Sequence, residues 1–398
     1  MTKRFLYHEI VRYLDHKNAL IITGMRQVGK TTLMKQIYDD IAGAKLWFDF
    51  DNPLDTMHFE SDDFNGIFHD LLRRCGGKKP IIFIDEIQNY PKITSIIKYH
   101  IDKYNLKYIV TGSSNFYLRN LFPESLSGRK FLFVLKPLDF REMVFFAQPE
   151  NRTESEIKPL TTPTLDPAAL SGRPITEFKP LEGLYEEFIE YGGFPEVVMT
   201  KDTNLKKMVL RNIFASFFEK DLNLLSEIRD IRELRNLILL LIPRTGNILD
   251  ITRLASELGI SRVKIYDYLE FLQGTFFLYL VPKFSNSIDR SVAGGKKVYF
   301  SDTGLLNLMG KVNDGQLFEN TVANQLSVYG DLSFYNKRNT AEIDFILKKE
   351  TAFEAKLNAI PADRGKVLKT ASQIGIKNCF IVCKNYSGLE GTINGVMI

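Results

Sequence analysis

The polarity pattern changes period several times along the chain, and the changes mark out its elements. Short apolar runs at residues 19–23, 46–50, 81–84, 108–111 and 131–135 alternate with stretches whose apolar positions recur at helical spacing. Runs of this length, apolar on both faces and separated by helices, predict a parallel α/β sheet covered on both sides. After Gln148 the pattern dissolves into Pro, Thr, Ser and charge through residue 180, where Pro149, Pro159, Pro163, Pro167 and Pro174 break any continuous element. Helical periodicity resumes over 181–225, interrupted at Tyr191-Gly192-Gly193-Phe194-Pro195, and continues over 231–242 until Pro243. Residues 248–300 read as helix, tight turn, helix and two strands, and from residue 317 onward a helix precedes strands and a further helix. The predicted organisation is an α/β domain at 1–148, a loop with a helical lid or linker at 149–224, a helical unit with a wing at 225–300, and a second α/β domain at 301–398.

Composition adds exclusions. Hydrophobic residues at 44% and charged residues at 25% are those of a globular chain, which excludes a largely disordered, collagenous or membrane-embedded one. The formal net charge of +4 is too small to identify a nucleic-acid partner, so any basic site must be local. Of the three cysteines, Cys75 stands alone and Cys379 and Cys383 flank an apolar run, which argues against a disulfide framework and for a reducing compartment. With charges throughout the first 17 residues and no apolar run of membrane length, the expected location is the cytoplasm. His58, His69 and His100 have no partner at ligand spacing, so surface or core roles are expected for them.

The sharpest chemical signal is Gly24-Met25-Arg26-Gln27-Val28-Gly29-Lys30-Thr31, a phosphate-binding loop that follows the first strand and opens a helix at Thr32. Its glycines let backbone amides approach polyphosphate oxygens, and the helix N-terminus favours negative charge. Lys30 is placed to reach the β and γ phosphates, Thr31 to put a hydroxyl on Mg²⁺, and Thr32 completes the expected nucleotide-binding set. The matching acid is present, because the apolar run 81–84 ends in Asp85-Glu86, a Walker B arrangement. Asp85 is then the candidate for the Mg²⁺ shell and Glu86 for the base that orients and deprotonates water. Ser114 and Asn115, after the strand at 107–111, are candidate γ-phosphate sensors, the alternative being a turn with side-chain caps. Arg129 is a candidate arginine finger, in cis or toward a neighbouring subunit, against the alternative of a solvated loop residue; Arg119 is a weaker competitor and Arg26 receives no role beyond its place in the loop.

With these residues in view, the chain resembles a bacterial and archaeal family of AAA-type ATPases whose C-terminal half has been called a domain of unknown function. The resemblance rests on residues 24–33, 81–88, 110–115, 125–129 with 136–142, 191–197 and 299–308. It implies a P-loop NTPase core with an AAA+-like parallel sheet, followed by a helical linker, a winged helix and a restriction-endonuclease-like α/β domain, and it implies ATP as the nucleotide. A second-sensor arginine in a lid, usual in many AAA+ proteins, has no counterpart here.

Residues 251–258, Gly259-Ile260-Ser261 and 262–272 form a helix-turn-helix pattern, and strands at 276–281 and 297–300 would make its wing. Val263, Tyr266, Leu269 and Leu272 are expected on the apolar face of the second helix, leaving Arg262 and Lys264 outside together with Asp267 and Glu270. Residues 225–300 carry eleven Lys and Arg against eight Asp and Glu, a net of +3, with Lys283, Arg290, Lys296 and Lys297 on the wing. DNA or another nucleic acid is thus a candidate partner, with a protein-contact winged helix as the alternative.

Near the C-terminus, Glu319 lies on a predicted helix, 341–347 alternates as a strand, and 352–356 forms a second strand. A hairpin between the two strands would bring Asp344, Glu354 and Lys356 to one edge. The set resembles the nuclease motif of Asp, a spacer and Glu-x-Lys, with Glu319 as an additional helix acid, and paired carboxylates of this kind hold Mg²⁺ for phosphodiester hydrolysis. The alternative is an ordinary charged strand face.

The expected function is a Mg²⁺-dependent ATPase whose nucleotide state is coupled to the C-terminal units and which acts on nucleic acid. Two rivals stand beside it: an ATP-gated metal-dependent nuclease, and a nucleotide-switched protein-interaction module without cleavage. A protein partner and oligomer formation stay open.

Overall fold

Ala19–Thr23 (β1) is buried at every position, as is Tyr108–Gly112 (β4), and so neither strand has a polar face to turn toward water. Both lie inside a five-stranded sheet with Lys45–Asp49 (β2), Ile81–Asp85 (β3) and Lys130–Val134 (β5), in the order β2-β3-β4-β1-β5 and parallel throughout. The computed structural model describes residues 2–112, 128–147, 165–221, 231–285, 294–337 and 340–398. The helices Phe64–Arg74 and Ile93–Tyr104 cover one face of this sheet through Phe68, Ile93, Ile96, Ile97 and Ile101, packed with Ala19, Ile21, Ile82, Ile84 and Val110. Helix Lys30–Asp40 buries Leu33, Met34 and Ile37. Each such large apolar side chain contributes about 1.5–3 kcal/mol on burial. His100 is enclosed here, its ring nitrogens bonded to the Tyr108 hydroxyl at 2.6 Å and the Phe64 carbonyl at 2.7 Å, a core histidine as expected.

The chain divides into two compact units, where the sequence pattern marks four segments. The first contains the parallel sheet; the second takes residues 137–148, 162–273 and 277–398, so that segments 225–300 and 301–398 share one unit. The reason is a common core: Val281 and Tyr299 are buried with Phe318, Val322, Phe334, Phe345 and Phe353.

In the second unit, helices Ile231–Leu241, Ile251–Leu258 and Arg262–Gly274 precede an antiparallel ribbon of Leu278–Pro282 (β6) and Lys296–Phe300 (β7). Asp250 caps the middle helix by accepting from Arg253 N at 3.0 Å, and Gly259 ends it at φ 67°, a left-handed conformation that glycine adopts without steric cost. The ribbon runs on into a second sheet, since Phe284 N donates to Phe334 O at 2.6 Å. That sheet has the order β12-β11-β10-β9-β8, formed by Leu332–Lys337 (β8), Ala341–Leu347 (β9), Thr351–Lys356 (β10), Asn378–Cys383 (β11) and Thr392–Asn394 (β12). β8, β9 and β10 pair antiparallel and β10, β11 and β12 parallel, with helix Asp314–Leu326 before β8 and helix Pro361–Gln373 between β10 and β11.

Two glycine-bearing stretches meet around Asp302. Its carboxylate accepts from Gly193 N at 2.8 Å and from Leu305 N at 3.0 Å, capping helix Thr303–Met309. Gly192 passes so close, at φ 75°, that a Cβ would stand 2.2 Å from that carboxylate. Burial raises the Asp302 pKa to about 6 against the three backbone N–H groups that lower it. The Tyr191-Gly192-Gly193-Phe194-Pro195 break and the 299–308 stretch are therefore two halves of one structural clasp.

One reading of the helical faces is corrected. In Arg262–Gly274 the buried side chains are Ile265, Tyr268, Leu269, Phe271 and Leu272, whereas Val263 is 68% and Tyr266 59% exposed. The helix is apolar on two sides, and the set with i, i+3, i+4, i+7 spacing from Ile265 makes the continuous core stripe. Among the described residues no helix is long and apolar enough to cross a membrane.

Candidate functional sites

A parallel sheet delivers the C-terminal ends of all its strands to one edge, and in open α/β sheets ligands bind there. Here that edge gathers Thr23, Asp49, Asp85 and Thr111, because Asp49 pairs with Asp85 and Ile22 with Thr111. The order places β4 between β1 and β3, so Thr111 stands between the loop after β1 and the acids after β3.

The loop is built by its glycines. Gly24 has φ 147° and lies against the chain after β5, where a Cβ would be 2.0 Å from Leu135 O. Gln27 and Gly29 follow at φ 60° and 95°, turning the backbone into helix Lys30–Asp40. Met25 and Val28 anchor the loop by burial, and Arg4 braces it from outside by donating to Val28 O at 2.9 Å and Lys136 O at 2.8 Å. Lys30 is buried, its ammonium donating to Gly24 O at 3.1 Å and Met25 O at 2.9 Å. Thr32, the last residue expected in the set, lies exposed in the first turn of the helix.

Asp85 is buried at the end of β3 and accepts hydroxyl hydrogen bonds from Thr111 and Thr31. Burial raises its pKa above the ordinary carboxylate value, the two hydroxyls oppose this, and the charges of Glu86 and Asp49 add to it. A buried carboxylate crowded by two others and flanked by a P-loop hydroxyl is a donor set that fits a hard divalent cation. Glu86 takes the left-handed conformation at φ 54°, which costs a non-glycine residue about 1–2 kcal/mol and turns its side chain off the line of the strand. Gln88 hydrogen-bonds the Glu86 carboxylate, and Glu86 N donates to Thr111 Oγ1 at 3.2 Å. Arg4, Gln88 and Thr111 were not singled out in the sequence. Thr111 could have been, as the polar residue closing an otherwise apolar strand.

Arg129 is not brought to this edge. Its backbone carbonyl accepts from Ala19 N at 2.9 Å, at the start of β1, and its guanidinium pairs with Asp102 at 2.5 Å. The strand separates it from the loop by five residues, roughly 16 Å. A finger role in cis is therefore excluded for Arg129 by its place at the opposite end of the sheet. Ser114, Asn115 and Arg119 lie outside the described residues, as does Arg290.

The C-terminal set does converge. Phe345 pairs with Phe353, which continues to Asp344 opposite Glu354, and Ala355 N donates to Asp344 Oδ2 at 3.1 Å. Lys356 pairs with Glu354 at 2.9 Å. Burial, then the Asp344 charge, raises the pKa of Glu354 to about 8 and that of Glu319 to about 7. An unexpected residue joins them: Lys297 of the ribbon, only 2% exposed, contacts Asp344 at 3.1 Å, Glu319 at 3.3 Å and Glu342 at 2.9 Å. Burial works against its charge, but Asp344, Glu319 and Glu342 together raise its pKa. Tyr299, two residues on and so on the same strand face, donates to Glu319 at 2.6 Å. Lys297 is thus removed from the expected basic wing. Lys264 also has a partner, Glu233, while Arg262 and Lys296 are exposed.

Residues 16–144 match the AAA domain family, and residues 182–316 match a domain of unknown function (DUF8612). An uncharacterized protein of Methanocaldococcus jannaschii, MJ1544, is 27% identical over 337 residues, covering 82% of this chain and 71% of that one. An uncharacterized protein of Haemophilus influenzae is 25% identical over 414 residues, covering 98% and 94%. Among solved structures, the Walker-type ATPase PABY2304 of Pyrococcus abyssi aligns with a TM-score of 0.50 at 16% identity, covering 76% of this chain and 94% of that one. Residues 16–144 thus have an AAA-type, P-loop ATPase-like fold.

Proposed function

We propose that the chain binds ATP with Mg²⁺ at the loop Gly24–Thr31 and hydrolyses it, and that nucleotide turnover serves a C-terminal half acting on nucleic acid. The observation that carries the reading is the joining of Walker A and Walker B through hydroxyls: Thr31 and Thr111 both bond Asp85, and Thr111 also holds the Glu86 backbone. In this reading the loop amides and Lys30 bind the β and γ phosphates. Thr31 and Asp85 would hold Mg²⁺, which when bound neutralises charge on the β and γ oxygens. Glu86 orients a water against the γ phosphorus and takes its proton, the water oxygen bonds to phosphorus, and the bond to the β-phosphate oxygen breaks to release ADP. Ser114 or Asn115 remains the proposed γ-phosphate sensor, and Arg129 could act only toward a second subunit.

The nucleic-acid part rests on the turn between helices Ile251–Leu258 and Arg262–Gly274 followed by the β6–β7 ribbon, a winged-helix-like order, with Arg262, Val263 and Tyr266 exposed on the second helix. Equilibrium binding of a fluorescent ATP analogue tests the nucleotide reading. Lys30→Ala is expected to weaken binding at least about tenfold, because it removes a charge-assisted contact to phosphate. Equal binding by both proteins would sink it.

A further inference from the structure

The carboxylates around Asp344 do not fit the divalent cation that their resemblance to a nuclease motif implies. Mg²⁺ needs oxygens at about 2.0–2.1 Å in octahedral array, with water completing the shell. Here Glu319, Glu342 and Asp344 are instead gathered on one nitrogen, the Lys297 ammonium, at 3.3, 2.9 and 3.1 Å.

We propose that Lys297 is the resident cation of this carboxylate site, and that the ribbon strand carrying it keeps the site closed to divalent metal ions. Asp344 is buried, and gathering the half-buried Glu319 and the more exposed Glu342 beside it calls for a positive charge among them, because like charges repel and burial strips water from the Asp344 carboxylate. Lys297 supplies that charge and is itself 2% exposed, so each side of the pairing requires the other. The surroundings are built for it. Tyr299 on the same strand face fixes the Glu319 oxygen that Lys297 contacts. Gly246, whose N–H bonds Val298 of the same strand, leaves room for the Glu319 carboxylate, since a Cβ there would stand 3.0 Å from Oε1. On the far side Ala355 N occupies the second Asp344 oxygen, and Lys356 engages Glu354. The oxygens a metal would use are thus divided between two lysines and a backbone amide. The ribbon acts on the second sheet as a plug, and the inference stands independently of ATP hydrolysis.

Mn²⁺ titration of the full chain without nucleotide, read by electron paramagnetic resonance of the free ion, tests this. Wild type and Asp344→Asn are expected to bind Mn²⁺ indistinguishably. Lys297→Met, which keeps the length and removes the charge, is expected to gain one ion per chain, and Lys297→Met with Asp344→Asn to lose it. If Lys297→Met does not fold by far-UV circular dichroism, Lys297→Met with Glu342→Gln, which removes the most exposed of the three acids, carries the same comparison. A wild-type Mn²⁺ site abolished by Asp344→Asn would overturn the proposal, as would a folded Lys297→Met that binds no more Mn²⁺ than wild type.

Discussion

Thr111 at the end of β4 gives its hydroxyl hydrogen to Asp85 and, with the same oxygen, accepts the Glu86 backbone N–H at 3.2 Å. One side chain thereby fixes both the acid expected to hold metal and the residue expected to activate water, and it can do so only because β4 is inserted between β1 and β3.

Thr111→Val keeps the shape and removes both bonds. It leaves Asp85 with one hydroxyl partner fewer, which allows burial to raise its pKa further. The expected result is ATP turnover reduced about tenfold to a hundredfold with nucleotide affinity little changed, since positioning of the water rather than phosphate binding is lost. Comparison of kcat and KM checks this split. A parallel loss of binding would make Thr111 a loop-folding residue instead.

Asp302 yields a pH prediction. Its folded-state pKa of about 6 lies above its ordinary value of 3.8, so the native state keeps this proton where the unfolded chain has released it. The stability it contributes is full below pH 3.8 and is lost as pH rises through 6, by about 3 kcal/mol. Asp302→Asn should remove that step and also lower stability by about 1–3 kcal/mol, because Gly193 N and Leu305 N bond different carboxylate oxygens and the amide puts an NH2 group in place of one of them. Urea unfolding of both proteins between pH 4 and 7 measures it; identical pH slopes would contradict the assignment.

For nucleic acid, exposure decides which cations count. Arg262→Ala and Lys296→Ala are each expected to weaken duplex binding and to reduce the salt slope by roughly 1. Fluorescence anisotropy at two salt concentrations reads both quantities. Salt-independent or absent binding would favour the protein-interaction alternative.

Much of this was legible in the sequence, for a physical reason. The phosphate loop and Asp85-Glu86 are local motifs whose chemistry depends on residues a few positions apart, and the short doubly buried strands follow directly from their composition. A hairpin bringing Asp344 and Glu354 to one edge was legible too, from alternation and loop length, though not its register. What depends on strand order was not. The sequence shows neither that β4 separates β1 from β3, which gives Thr111 its place, nor that Arg129, just before β5, lies at the far end of the sheet. Lys297 looked like a wing cation because its partners, Glu319 and Asp344, come from a helix and a strand 22 and 47 residues away. Val263 and Tyr266 misled because the helix carries two apolar stripes and only packing chooses between them.

The most direct measurement is phosphate release from ATP by wild type and Glu86→Gln, each with and without Mg²⁺. The account predicts Mg²⁺-dependent turnover in the wild type, reduced about 10²-fold to 10⁴-fold in Glu86→Gln while nucleotide still binds. Wild type that binds ATP without hydrolysing it, or turnover that survives Glu86→Gln, would contradict it.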